Sequence, residues 1–172
     1  NSHQNHIGWR FGQDRVYTQT MTPISIAIAD PQHPEITQLL QQSHALMQQL
    51  FASDENHFLS IEELLSPDIR FFAARQQGRY IGCGALAIRP DYGEIKSMFT
   101  DPKARGTGVA RSVLDRLEAQ ARQLKLPKLM LETGDLLSHA QRLYTQAGFT
   151  HCAPFGDYEK QHSSIFMQKI LY

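Results

Sequence analysis

From Ile24 to Ala29 the run ISIAIA alternates large apolar with small residues and breaks at Asp30-Pro31, which predicts a strand closed by a turn. The period then lengthens. From Pro34 to Phe51, Ile36, Leu39, Leu40, Leu46, Met47 and Leu50 recur at helical spacing, so an amphipathic helix should begin near Pro34. Beyond the polar loop ASDEN, Ser60 and Glu63 stand at capping-box spacing and predict a short helix that stops near Pro67. Three apolar runs follow, Ile69–Ala74, Tyr80–Ile88 and Glu94–Thr100, separated by QQGR and RPDYG. Connections this short predict an antiparallel meander.

Helical spacing returns after RGTGVA, with Val109, Val113, Leu117 and Ala121 on one face and Ala110 and Leu114 beside them, until LKLPK ends the helix. Leu129–Thr133 predicts the next strand. Ser138–Ala147 reads as a helix with Ala140, Leu143 and Tyr144 on one side, stopped by Gly148, and Ser164–Leu171 as a closing strand. The pattern describes a mixed α/β chain without internal repeats.

At 172 residues the length suits one domain with a single site. Lys plus Arg and Asp plus Glu are 17 each, so the formal net charge is zero and no global field favours nucleic acid or an anionic membrane. No apolar run is long enough to span a bilayer. Cys83 and Cys152 are far apart and form no CxxC pair, and the eight histidines form no HExxH pair, so neither a disulfide framework nor a metal site is expected. A reducing cytoplasm fits this cysteine usage. Residues 1–20 are polar and precede Met21, and are expected to be a leader or an N-terminal extension outside the domain at 21–172.

The segment with chemical promise is RGTGVA. Gly106 and Gly108 allow positive φ and a close backbone approach, and the helix behind them presents unsatisfied N–H groups to an anion. A flexible turn entering a helix is the alternative reading. The segment lacks the GxxxxGK[ST] of a triphosphate loop, and Arg111 stands where a dinucleotide fingerprint needs its third glycine.

Arg105-Gly106-Thr107-Gly108-Val109-Ala110 fills the pattern Arg or Gln, two residues, Gly, one residue, Gly or Ala, and Leu143–Phe149, LYTQAGF, fills LYxxxGF. In these two motifs, in this order, the chain resembles the GNAT superfamily of acetyl-CoA-dependent N-acetyltransferases. The resemblance extends over Ile24–Leu171 and is sharpest from Glu94 to Phe149. It implies a central, mostly antiparallel twisted sheet flanked by helices. One departure is Leu137, where many members carry asparagine.

The resemblance also implies roles. Met98, Phe99 and Thr100 would offer backbone hydrogen bonds to the pantetheine arm of acetyl-CoA, and an N–H there would stabilise a developing oxyanion. Arg105, Gly106, Thr107, Gly108, Val109, Ala110, Arg111 and Ser112 would hold the pyrophosphate, with Ala140, Leu143 and Tyr144 completing the cofactor wall. Tyr144 would protonate the leaving thiolate, its alternative being a packed core tyrosine. Glu94, eleven positions before Arg105, would be the base, its alternative being a solvated charge at a strand start. Glu132 is the second carboxylate of interest. Glu55, Asn56, His57 and Glu132, with Asp157 and Tyr158 opposite, would line the acceptor pocket, although loop residues of this kind are also commonly just solvated. The acceptor implied is the primary amine of a small molecule, with a non-catalytic acyl-CoA sensor as the other reading; a homodimer is left open.

Overall fold

The fold is read from a computed structural model that describes residues 22–172. The expected leader at residues 1–20 lies outside them. Strand β1 is Ser25–Ile28, helix α1 Pro34–Leu50, β2 Ile69–Gln76, β3 Arg79–Ile88, β4 Gly93–Thr100, α2 Val109–Gln123, β5 Lys128–Gly134, α3 Ser138–Gln146, β6 Thr150–His151 and β7 Ser164–Ile170. The strands form one sheet in the order β1-β2-β3-β4-β5-β7-β6. Every neighbouring pair is antiparallel except β4 and β5. This is the mixed α/β architecture, with a mostly antiparallel sheet flanked by helices, that the motifs implied.

Period-two alternation on the central strands gives the sheet two buried faces. Phe72 and Ala74 of β2 join Val109, Val113, Leu114 and Leu117 of α2 in one core, whereas Phe71 and Ala73 join Ile36 and Leu40 of α1 in the other. Helix α1 covers its face only in part. Ile36, Leu39 and Leu40 are buried, but Leu46, Met47 and Leu50 are half-exposed, because the C-terminal half of the helix leaves the sheet and borders a cleft. The Ser60–Glu63 box forms in both directions, the Glu63 amide donating to Ser60 Oγ at 3.1 Å and the Ser60 amide to Glu63 Oε1 at 3.4 Å. It caps a single 3-10 turn, Glu63–Leu65. Strand β6 has only two residues, both exposed, and so has no hydrophobic alternation by which to be foreseen.

Helix α2 sits close to β3 because glycine faces it. A Cβ on Gly84 would lie 2.5 Å from Met98 Sδ and 2.8 Å from Val113 Cγ1. Gly84→Ala should therefore lower the stability to urea unfolding by about 1–3 kcal/mol, the usual cost of overpacking; an unchanged midpoint would show that α2 has room to retreat.

Candidate active site

Strands β4 and β5 pair at only two positions, Gly93 with Leu129 and Glu94 with Met130. Past these the strands part. On its other edge β4 stays paired with β3 as far as Thr100, and β5 stays paired with β7 as far as Gly134. A register shift between Cys83 and Ala85 faces Ser97, whose φ of 55° marks a bulge in β4. The gap between the strands opens into a cavity of about 140 Å³. Ile95–Met98 and Glu132–Gly134 form two of its walls, Met47, Phe51 and the loop Glu55–Phe58 a third, and Ala140, Tyr144 and Ser163 close it. Phe51 packs directly on the backbone of Gly134.

Two expected chemical groups meet here from different elements. Glu132 comes from β5 and Tyr144 from α3. Burial pushes the Glu132 carboxyl above the usual range, opposed by the neighbouring Ser164 hydroxyl and by the nearby His57 and Lys96 side chains. Tyr144 is 6% exposed, and burial raises its phenol far above the ordinary value, with the Glu132 charge adding to the effect. The hydroxyls of Ser97 and Ser163, both on the cavity wall, are buried and have no hydrogen-bond partner among the described residues. Buried hydroxyls are normally paired, so the two are free to meet a ligand.

Glu94 lies outside the cavity lining and is 3% exposed. It is no solvated charge. Its carboxylate accepts a hydrogen bond from the Tyr158 hydroxyl and lies 3.5 Å from both Arg89 and Lys96. Lys96 Nζ also donates to the Tyr158 oxygen and to the His57 carbonyl, each at 2.8 Å. Burial, then the Glu94 charge, drives the Tyr158 phenol far up, so it stays protonated and keeps donating. Arg89 continues the cluster to Asp68 at 3.2 Å. Neither Arg89 nor Lys96 was among the residues singled out from the sequence, although a lysine inside the apolar β4 run is an anomaly that could have marked it.

The remaining expectations divide. Glu55 and His57 line the cavity, and the His57 ring lies 3.0 Å from Gln161, joining the two loops that carry them. Asp157 is exposed and does not line it. Met98 and Ala140 line the cavity, whereas Leu143 packs against the α2-side core, and Phe99 and Thr100 lead from the cavity toward the glycine turn.

In that turn Gly106 and Gly108 have φ of 76° and 87°, and a Cβ on either would meet nothing within 4 Å. Backbone conformation, not crowding, selects glycine here, and among the described residues nothing fills the space above the turn. Gly108 caps α2 without any side-chain hydrogen bond, and Ser112 is the residue whose amide returns to the Gly108 carbonyl, at 3.0 Å. The N–H groups of Val109, Ala110 and Arg111 therefore have no partner within the helix. Thr107 Oγ1 turns inward to the Ala104 carbonyl at 2.6 Å, and Arg111 pairs with Asp115 at 2.9 Å. Arg105 lies over the Phe99 ring. Among the described residues no helix is long and apolar enough to cross a membrane.

The sequence model of the acetyltransferase (GNAT) family matches residues 34–149. The chain is 39% identical over 153 residues to an IAA acetyltransferase of Azospirillum brasilense, covering 88% of this chain and 100% of that protein. It is 35% identical over 149 residues to an uncharacterized N-acetyltransferase, YsnE, of Bacillus subtilis, covering 85% and 99%. In fold it is similar to the PaiA N-acetyltransferase of Thermoplasma acidophilum in complex with coenzyme A, with a TM-score of 0.70 and 17% identity over 87% of this chain and 99% of that one.

The Tyr158 hydroxyl is the link between Lys96 and Glu94. Tyr158→Phe leaves both charges buried with one partner fewer and should cost about 1–3 kcal/mol in urea unfolding. A loss below about 0.5 kcal/mol, the level typical of an ordinary surface substitution, would show that the cluster holds together without it.

Proposed function

The chain belongs to the acetyltransferase (GNAT) family and is an acyltransferase, and from that premise we propose that it moves the acetyl group of acetyl-CoA to the primary amine of a small molecule by direct attack on the thioester. The observation that carries this reading is the meeting of Glu132 and Tyr144 in one cavity at the end of the β4–β5 gap.

An alkylammonium with a pKa near 10.4 must lose a proton before it can attack. Glu132 is the carboxylate suited to take that proton, since it lines the cavity and burial raises its basicity. Glu94, held by Tyr158, Lys96 and Arg89 behind the wall, acts instead as the counter-charge of the site. As the amine nitrogen bonds to the acetyl carbon, negative charge gathers on the carbonyl oxygen, and a backbone N–H near Met98 on the unpaired edge of β4 stabilises it. When the C–S bond breaks, the thiolate takes a proton from Tyr144, whose raised pKa keeps the phenol protonated at neutral pH. The free N–H groups at Val109–Arg111 and the open space above Gly106 and Gly108 suit the pyrophosphate of the donor. Arg105, which lies over the Phe99 ring and has no salt bridge among the described residues, can add charge there, whereas Arg111 would first have to leave Asp115.

Tyr144→Phe should lower kcat about 10²-fold, in the range for loss of a general acid, with acetyl-CoA affinity unchanged. Glu132 must be ionised to act, so kcat/KM of the wild type should rise with pH through a carboxylate pKa above the usual value of about 4.3. Glu132→Gln should lose that limb. A wild-type profile retained in Glu132→Gln would remove this residue as the base.

Gly108→Val forces a branched side chain into positive φ, with a backbone cost of roughly 1–2 kcal/mol, and places it over the free N–H groups. Acetyl-CoA binding, followed by calorimetry on the folded variant, should weaken by about tenfold or more. Equal affinity would refute the pyrophosphate role of the turn.

A further inference from the structure

Resting on the acetyltransferase reading, we propose that the acceptor is a simple primary amine with a compact apolar body and no carboxylate beside the amine, and that Glu94 sets this selectivity by neutralising Lys96.

Among the described residues Lys96 is the one lysine or arginine on the cavity wall. Its ammonium donates to the Tyr158 oxygen and to the His57 carbonyl, each at 2.8 Å, and lies 3.5 Å from the Glu94 carboxylate. Two of its N–H bonds are thus engaged within the protein, and the Glu94 carboxylate offsets its charge from behind the wall. Arg89, on the far side of Glu94, is shared between Glu94 and Asp68 and does not line the cavity.

The carboxylates of the cavity have no such direct pairing. Glu132 and Glu55 both line the cavity, and among the described residues neither forms a salt bridge. Glu55 accepts a hydrogen bond from the Ala52 amide of its own loop, at 3.2 Å, and Glu132 shares the cavity wall with Tyr144. With the unpartnered hydroxyls of Ser97 and Ser163, Glu132 offers three acceptors for an incoming ammonium. The rest of the opening presents Met47, Phe51 and Phe58, which suit an apolar body. A carboxylate placed there would be desolvated beside Glu132 without a free cation, and a buried charge without a partner is strongly disfavoured. Selectivity of this kind comes from repulsion as much as attraction.

The test compares matched ligands that differ only by the carboxylate: phenethylamine with L-phenylalanine, and pentylamine with L-norleucine, titrated calorimetrically into protein saturated with coenzyme A. The amines should bind at least about tenfold more tightly than the amino acids. Glu94→Gln uncovers the Lys96 charge and should narrow that ratio at least about threefold, with coenzyme A affinity unchanged. Glu132→Gln, a second variant on a different strand, should weaken the amines and leave the amino acids alone. Amino acids bound as tightly as amines by the wild type, no binding by either ligand of both pairs, or an unchanged ratio in folded Glu94→Gln would each overturn the inference. Coenzyme A release from acetyl-CoA with the same amines reads the transferase proposal separately: preference for amines without release would sink that proposal, and release with the preference reversed would sink only the selectivity.

Discussion

Two register pairs between β4 and β5, and no more, are the constraint on which the site depends. Each strand is held on its outer edge, β4 by β3 and β5 by β7, so the pair can part without either strand losing its place in the sheet. The inner edges past Glu94 and Met130 then face a gap. Backbone N–H and C=O groups demand partners, and a gap bordered by two such edges favours an extended, amide-bearing ligand laid along them. The bulge at Ser97 bends β4 at the start of that gap, and β4 then runs on toward the turn at Gly106–Gly108, so one strand joins the cavity to the free helix terminus. That path suits an extended thioester donor, with its anionic end at the turn and its reactive end in the cavity.

The cavity needs walls of defined charge as well as a gap. Lys96 would bring an unmatched cation to its surface, but Glu94 offsets that charge at 3.5 Å while the Tyr158 oxygen and the His57 carbonyl accept two of its N–H bonds. The cluster reaches two loops, since His57 precedes β2 and Tyr158 precedes β7. Contacts of His57 with Gln161, and of Tyr158 with the rings of His57, Phe155 and Phe166, tie those loops together. The electrostatics of the wall and the order of the loops therefore have a common origin.

Much of the frame was legible in the chain. Helical spacing in Val109–Gln123 and alternation in Ile69–Gln76 led to elements within a few residues of those observed, because both segments bury a regular face. β6 was invisible because neither of its residues is buried. The glycine turn and LYTQAGF were readable as motifs, and they led to Tyr144 in the cavity. Spacing from Arg105 put Glu94 first and Glu132 second as the base. Which of two carboxylates faces a cavity depends on where β4 and β5 part, and that is set by contacts between strands far apart in sequence. Ser97 and Ser163 carried no signal, since an unpaired hydroxyl is a property of the packed structure.

A crystal structure of the protein with coenzyme A tests the central claim most directly. The pyrophosphate oxygens should lie within hydrogen-bond distance of the N–H groups at Val109–Arg111, the pantetheine arm between the parted edges of β4 and β5, and the thiol beside Tyr144. Coenzyme A bound elsewhere, or a thiol ending outside the cavity that holds Glu132 and Tyr144, would contradict it.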